Sequence, residues 1–109
     1  MNEQDFAEKA DEMLAQIEVA LESLQEKDGP DFDFELKAGG VLEIEFENGS
    51  KIIVNRHCAA REIWLAARSG GYHFRFDGGR WVDTRSGDDL LQSLARCMGE
   101  QAGVAVSLG

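Results

Sequence analysis

Proline occurs once in the 109 residues (Pro30) and cysteine twice (Cys58 and Cys97). With one proline, no repeat and no Ser/Gly-rich tract, there is no candidate for an interdomain linker. Two cysteines make neither a disulfide framework nor a metal-spaced cluster, so a reducing, cytoplasmic setting is expected. No apolar run approaches the ~18 residues that a membrane span needs. The opening Met-Asn-Glu-Gln-Asp carries no base, so no secretory leader is expected either. Bases are scarce: 11 Lys+Arg stand against 21 Asp+Glu, a formal charge of −10. That excess repels phosphates and argues against a nucleic-acid partner. Glycine pairs fall where hairpin turns are expected, which leaves no phosphate-cradling loop. His57 and Cys58 are neighbours, but adjacent strand residues point to opposite faces, so they do not read as a base–nucleophile pair. No catalytic signature is found, and the chain is not expected to be an enzyme.

What is present is enough apolar residue, 43%, for residues 1–109 to fold as one domain despite the charge. The charge is also unevenly placed. Residues 1–50 hold 15 acids and 3 bases, whereas residues 51–109 hold 6 acids and 8 bases. An acidic half is thus joined to a near-neutral half that contains the arginines.

Phe6, Ala10, Met13, Leu14, Ile17, Leu21 and Leu24 recur at steps of three and four, the stripe of an amphipathic helix. Glu8, Asp11, Glu12, Glu18, Glu22 and Glu26 form a band roughly opposite that stripe. Strict alternation follows. Phe32, Phe34 and Leu36 oppose Asp31, Asp33 and Glu35; Leu42, Ile44 and Phe46 oppose Glu43, Glu45 and Glu47. Asn48-Gly49, Gly70-Gly71 and Asp77-Gly78-Gly79 read as turns between further strands over 51–55, 62–66, 72–76 and 80–83. Ser86 with Asp89 resembles a capping box before a last helix whose apolar face is Leu90, Leu91, Leu94, Cys97 and Met98. The order predicts an α+β two-layer sandwich: helix, about six antiparallel strands, helix, with both helices on one face of the sheet.

Keeping the apolar faces together fixes the first hairpin's register. Leu36 then pairs with Leu42 and Phe34 with Ile44, which sets Glu35 opposite Glu43, Asp33 opposite Glu45 and Asp31 opposite Glu47. Directly opposed like charges destabilise a sheet by about 0.2–1 kcal/mol each. A sequence selected for stability alone would interleave lysines here. Such a surface suits a hard cation bound by oxygen ligands (Mg²⁺, Ca²⁺, Mn²⁺ or iron), or a basic protein; a plain solubilising role is the other reading of the same acids. Trp64 sits between the core candidates Ile63 and Leu65 and is therefore expected on the solvent face. There it is either a partner anchor or a cross-strand aromatic covering the sheet. Arg56, Arg61, Arg68, Arg75 and Arg80 can give that face reach toward a partner's carboxylates. His73 reads as a surface imidazole, the alternative being a metal ligand offered from the sheet.

From Gly40-Val41-Leu42 through Phe46-Glu47-Asn48-Gly49-Ser50-Lys51-Ile52-Ile53-Val54-Asn55-Arg56, the chain resembles the bacterial frataxin (CyaY) family. The resemblance continues through Ile63-Trp64-Leu65-Ala66, Ser69-Gly70-Gly71-Tyr72-His73-Phe74, Trp81 and Arg85-Ser86-Gly87. It implies the frataxin fold and a role in iron–sulfur cluster assembly. The implied activity is weak Fe²⁺/Fe³⁺ binding on an acidic ridge, with association to the cysteine desulfurase and an effect on the scaffold protein. By that resemblance Asp11, Glu18, Glu22, Glu26, Asp28, Asp31, Asp33 and Glu35 are the ridge ligands. Asn55, Arg56, Trp64 and His73 become partner-facing residues. After Asn55 this chain has Arg56-His57-Cys58-Ala59 where the family usually shows Lys or Arg, then Gln, and a Pro two residues later. Val19 stands where some relatives have a further helix acid. A monomer is expected before metal binds, because the net charge is high. The competing functional expectations are an iron-oxidising or iron-storing protein and a metal-independent acidic module.

Overall fold

In the computed structural model, which describes residues 1–27 and 29–108, the apolar stripe becomes helix α1 (Glu3–Gln25). Asn2 caps it, its Oδ1 accepting from the Asp5 N–H at 2.8 Å. That satisfies one of the backbone donors every first turn leaves free, and Glu3 and Asp5 complement the positive end of the helix. All seven stripe residues are buried.

Six strands follow as a meander: β1 (Phe32–Lys37), β2 (Val41–Phe46), β3 (Lys51–His57), β4 (Glu62–Ala67), β5 (Gly70–Asp77) and β6 (Arg80–Asp83). They lie in chain order in one antiparallel sheet. Helix α2 (Leu90–Ala102) closes the element order. One face of the sheet, carrying Leu42, Ile44, Ile52, Val54, Ile63, Leu65 and Phe74, is buried in a common core with the apolar sides of both helices. Phe6 of α1 meets Trp81 of β6 edge to face at 5.9 Å, so the first helix reaches the last strand. The two-layer α+β arrangement is the one the patterning predicts. The hairpin register is also as expected: Leu36 pairs with Leu42, Glu35 with Glu43 and Asp33 with Glu45. Asp31 lies just before β1, and its carbonyl accepts from the Glu47 N–H at 3.4 Å.

Local details differ from the sequence expectation. Gly70 and Gly71 are not a turn but the first residues of β5, paired with Ala67 and Ala66; the turn itself is Arg68-Ser69. Ser86 does not cap α2. Its hydroxyl accepts from Asp88 N–H within a turn, and Asp89 is the N-cap, accepting from Leu91 N–H at 3.1 Å. A bridge between Val82 and Asp89 keeps the chain extended up to that point, so the helix cannot start earlier. On β1 burial fades along the strand, from Phe32 at 7% exposed to Leu36 at 41%. β1 is an edge strand, and its far end runs out from under the helix layer.

The C-terminal end of α2 is fastened by Gln101, buried among polar partners. Its amide nitrogen donates to Ser50 Oγ (3.1 Å) and the Lys51 carbonyl (3.2 Å), and its oxygen accepts from Arg68 N–H (2.9 Å). Gly103 then ends the helix in the left-handed region at φ 76°, where glycine carries no Cβ penalty.

Candidate functional site

The acids of α1 project from its solvent side: Asp11, Glu22 and Glu26 are exposed and Glu18 half-buried. Gln25 donates its side-chain amide to the Phe32 carbonyl at 2.8 Å, which ties the last turn of α1 to the start of the edge strand. That contact brings the end of α1, with Glu22 and Glu26, to the start of the acidic hairpin, while Asp11 is held farther along the helix by Arg56 of β3. Asp28 lies outside the described residues.

On the hairpin the carboxylate ladder splits in two. At one end Glu43 is bracketed by lysines, Lys37 Nζ at 2.8 Å and Lys51 Nζ at 3.0 Å. The Lys37 ammonium, then that of Lys51, holds the Glu43 carboxyl below its ordinary value, and Glu43 in turn raises Lys37. The expectation that no lysine relieves the ladder is therefore corrected at this end, where turn and hairpin deliver a base from either side. At the other end Asp31, Asp33, Glu45 and Glu47 line an open depression with Phe32 and Phe46. Among the described residues none of these four carboxylates is paired with a base.

Arg56 departs from the expected sheet face. It continues the inward parity of Ile52 and Val54 on β3, and its guanidinium pairs with Asp11 of α1. Gly40 makes this possible: a Cβ there would lie 2.6 Å from the Arg56 stem. One residue expected to face a partner and one expected to bind metal thus hold each other.

The outer sheet face carries Asn55, Trp64 and His73 in one cross-strand row, Asn55 opposite Trp64 and Trp64 opposite His73. Trp64 stacks on His57 (centroids 3.9 Å, 14° between planes) and on His73 (4.4 Å, 9°). Below the rings lies Glu62, whose Oε1 accepts from the Trp64 indole N–H at 2.9 Å and whose Oε2 accepts from Arg75 at 3.1 Å. The indole hydrogen bond, and then Arg75, keeps this carboxyl below its ordinary value although burial pushes it up. Sequence reasoning placed Trp64 on the outer face beside Glu62 but gave no role there to Glu62 or to His57. The signal was available: His57 pairs with Glu62 in the same parity as Asn55 and Trp64.

Among the described residues no group of three His, Cys, Asp or Glu side chains stands ready to hold a metal ion. No helix among them is long and apolar enough to cross a membrane. Cys97 is part of the core, and Cys58 is half-buried at the core's margin.

Comparison with known proteins places this geometry. The model of the frataxin-like domain matches residues 1–104. An iron-sulfur cluster assembly protein CyaY from Dechloromonas aromatica is 51% identical over 108 residues, 99% of each chain. A protein of the same name from Cupriavidus pinatubonensis is 49% identical over 110 residues, covering 100% of this chain and 97% of its own. Among solved structures, a frataxin from Psychromonas ingrahamii superposes with a TM-score of 0.87 at 33% identity, over 100% of this chain and 99% of the other. A trimeric frataxin from the yeast Saccharomyces cerevisiae, complexed with ferrous iron, gives 0.72 at 30% identity over 87% and 86%. With its fold, its acidic edge and its sheet-face tryptophan, the chain belongs to the frataxin family, as a bacterial CyaY-like member.

Proposed function

We propose that this protein is an iron-binding accessory protein of iron–sulfur cluster assembly. It works as a single cytoplasmic domain that docks on the cysteine desulfurase through its acidic ridge. The bacterial relatives carry cluster assembly in their names, and the yeast relative holds ferrous iron. The observation that carries the reading is the unpaired end of the hairpin ladder, where Asp31, Asp33, Glu45 and Glu47 line one depression. Opposed carboxylates cost stability, and oxygen donors of this kind attract hard cations. The described side chains form no ready-made three-ligand cage, so an ion on this ridge is held loosely, shared among Asp11, Glu18, Glu22, Glu26, Asp31, Asp33 and Glu35 together with Glu45 and Glu47 of the depression. The same field draws a basic surface on the desulfurase. Asn55, Trp64 and His73 face the assembly machinery, including the scaffold protein, across the sheet. The role is regulatory rather than catalytic, and the charge keeps the free protein monomeric.

Anaerobic Fe²⁺ titration of labelled protein, read by amide NMR with excess Mg²⁺ and physiological salt, tests the metal role. Broadening confined to residues 11–26, 31–35 and 45–47 is expected. An unchanged spectrum removes iron from the reading. Glu18→Lys combined with Glu22→Lys is expected to weaken both iron and desulfurase binding while thermal stability stays nearly constant. Full retention of both affinities refutes the ridge.

A further inference from the structure

An indole on a protein surface can meet a partner in four ways: through either π face, through its N–H, or through its carbon edge. At Trp64 three of these are already used. His57 on β3 and His73 on β5 stack against it at 3.9 and 4.4 Å. Because β3 and β5 flank β4, the two imidazoles cover opposite faces of the ring. The N–H donates to Glu62 Oε1 at 2.9 Å. Glu62 is itself well fixed. The residue is only 8% exposed, Arg75 binds its second oxygen at 3.1 Å, and His73 Nδ1 stands 3.6 Å from the first. His57 is anchored separately, its Nδ1 accepting from Ala60 N–H at 3.3 Å in the turn after β3.

We propose that Glu62 is a positioning residue that, together with His57 and His73, locks Trp64 edge-on. A docking partner then meets Trp64 by packing an apolar side chain against the carbon edge, not by hydrogen-bonding Nε1 or stacking on the indole. This rests on the reading that Trp64 faces the assembly machinery. It also specifies the chemistry of that contact. A partner arginine gains no cation–π contact with this tryptophan, because both faces are occupied. An aliphatic side chain gains a rigid slot whose ordering cost is already met within the sheet.

Two measurements separate the lock from the docking. The first follows hydrogen exchange of the Trp64 indole N–H by NMR in the free protein. Glu62→Leu is expected to accelerate it about tenfold, the size of effect for losing a hydrogen bond to a charged acceptor. Core amides and the Trp81 indole are expected to be unaffected. Glu62→Gln, which keeps an acceptor oxygen, is expected to restore most of the protection. Glu62→Ser is too short to reach Nε1 and serves the same test should Glu62→Leu not fold. Exchange as fast in the wild type as in these variants overturns the lock.

The second measures affinity for the purified desulfurase–scaffold complex. Glu62→Leu is expected to weaken it severalfold, and Trp64→Leu to lose less than Trp64→Ala. The indole proton resonance is expected to hold its free-state position in the complex. If it leaves that position on binding, the bond to Glu62 has been given up to the partner and the edge-on contact is wrong. Unchanged affinity in Trp64→Ala refutes the docking half and the reading beneath it, while indole exchange still decides the lock.

Discussion

Replacing Arg56 with methionine removes a cation from the acidic ridge while keeping an unbranched stem over Gly40. In the native protein Arg56 pairs with Asp11, with side chains 24% and 56% exposed. A pair this wet contributes about 0.2–1 kcal/mol. Any cation that uses Asp11 has to displace that interaction, so releasing Asp11 is worth up to about fivefold in local affinity. The folded state loses about the same free energy, a few degrees in Tm at most. The assay is titration with Mn²⁺ as a paramagnetic probe, read residue by residue from amide broadening. In Arg56→Met the midpoint at Asp11 is expected to fall about two- to fivefold, with a smaller change at Glu18 and none at Asp33 on the far strand. Arg56→Lys keeps the charge and is expected to behave like the wild type. An unchanged midpoint at Asp11, or Arg56→Lys behaving like Arg56→Met, refutes the idea that Arg56 is the ridge's internal counter-ion.

Gln101→Leu leaves the Arg68 N–H without its acceptor and removes both bonds to the Ser50–Lys51 segment. It is expected to cost about 2–4 kcal/mol, seen as a lower urea midpoint with an unchanged m value. Ser93 buries a hydroxyl that has no partner among the described residues. Ser93→Ala is expected to stabilise by about 1 kcal/mol, through lost desolvation cost and better helix propensity, and to raise Tm by about 4 °C in a calorimeter. Glu62 titrates below its ordinary value of 4.5. A lowered carboxyl contributes stability that is fully present above that value and lost as pH falls through the lowered one. The gap in unfolding free energy between wild type and Glu62→Gln is therefore expected to be flat above about pH 5 and to close in more acid solution.

The helices, the meander and the first hairpin's register were legible in the sequence because each rests on a period that only one geometry satisfies. The α1 stripe reads at 3.6 residues, and Leu36–Leu42 with Phe34–Ile44 allow a single apolar register. Ser86 misled because capping patterns are local, whereas the Val82–Asp89 bridge that delays α2 joins segments that only the fold brings together. Arg56 misled for a related reason. Its parity pointed inward, but inward at the end of β3 means the side of α1 and the carboxylate of Asp11, which is far away in sequence. Lysines were absent from the ladder positions themselves, yet Lys37 and Lys51 reach Glu43 from the strand ends, a matter of side-chain length that alternation does not encode. The ring stack stayed hidden because it needs His57, Trp64 and His73 from neighbouring strands in one register.

Strand order that follows chain order also has a kinetic side. Every strand pairs with its sequence neighbour across a short turn, so each ladder closes with little loop entropy and the sheet can zip outward from any one hairpin. The helices supply the long-range contacts: Asp11 with Arg56, Gln101 with Ser50, and Phe6 of α1 with Trp81 of the last strand. Docking of α1 across the finished meander is then the entropically dearest closure. Mutations under that helix are then expected to slow folding at least as much as they speed unfolding, because that closure is the costly step.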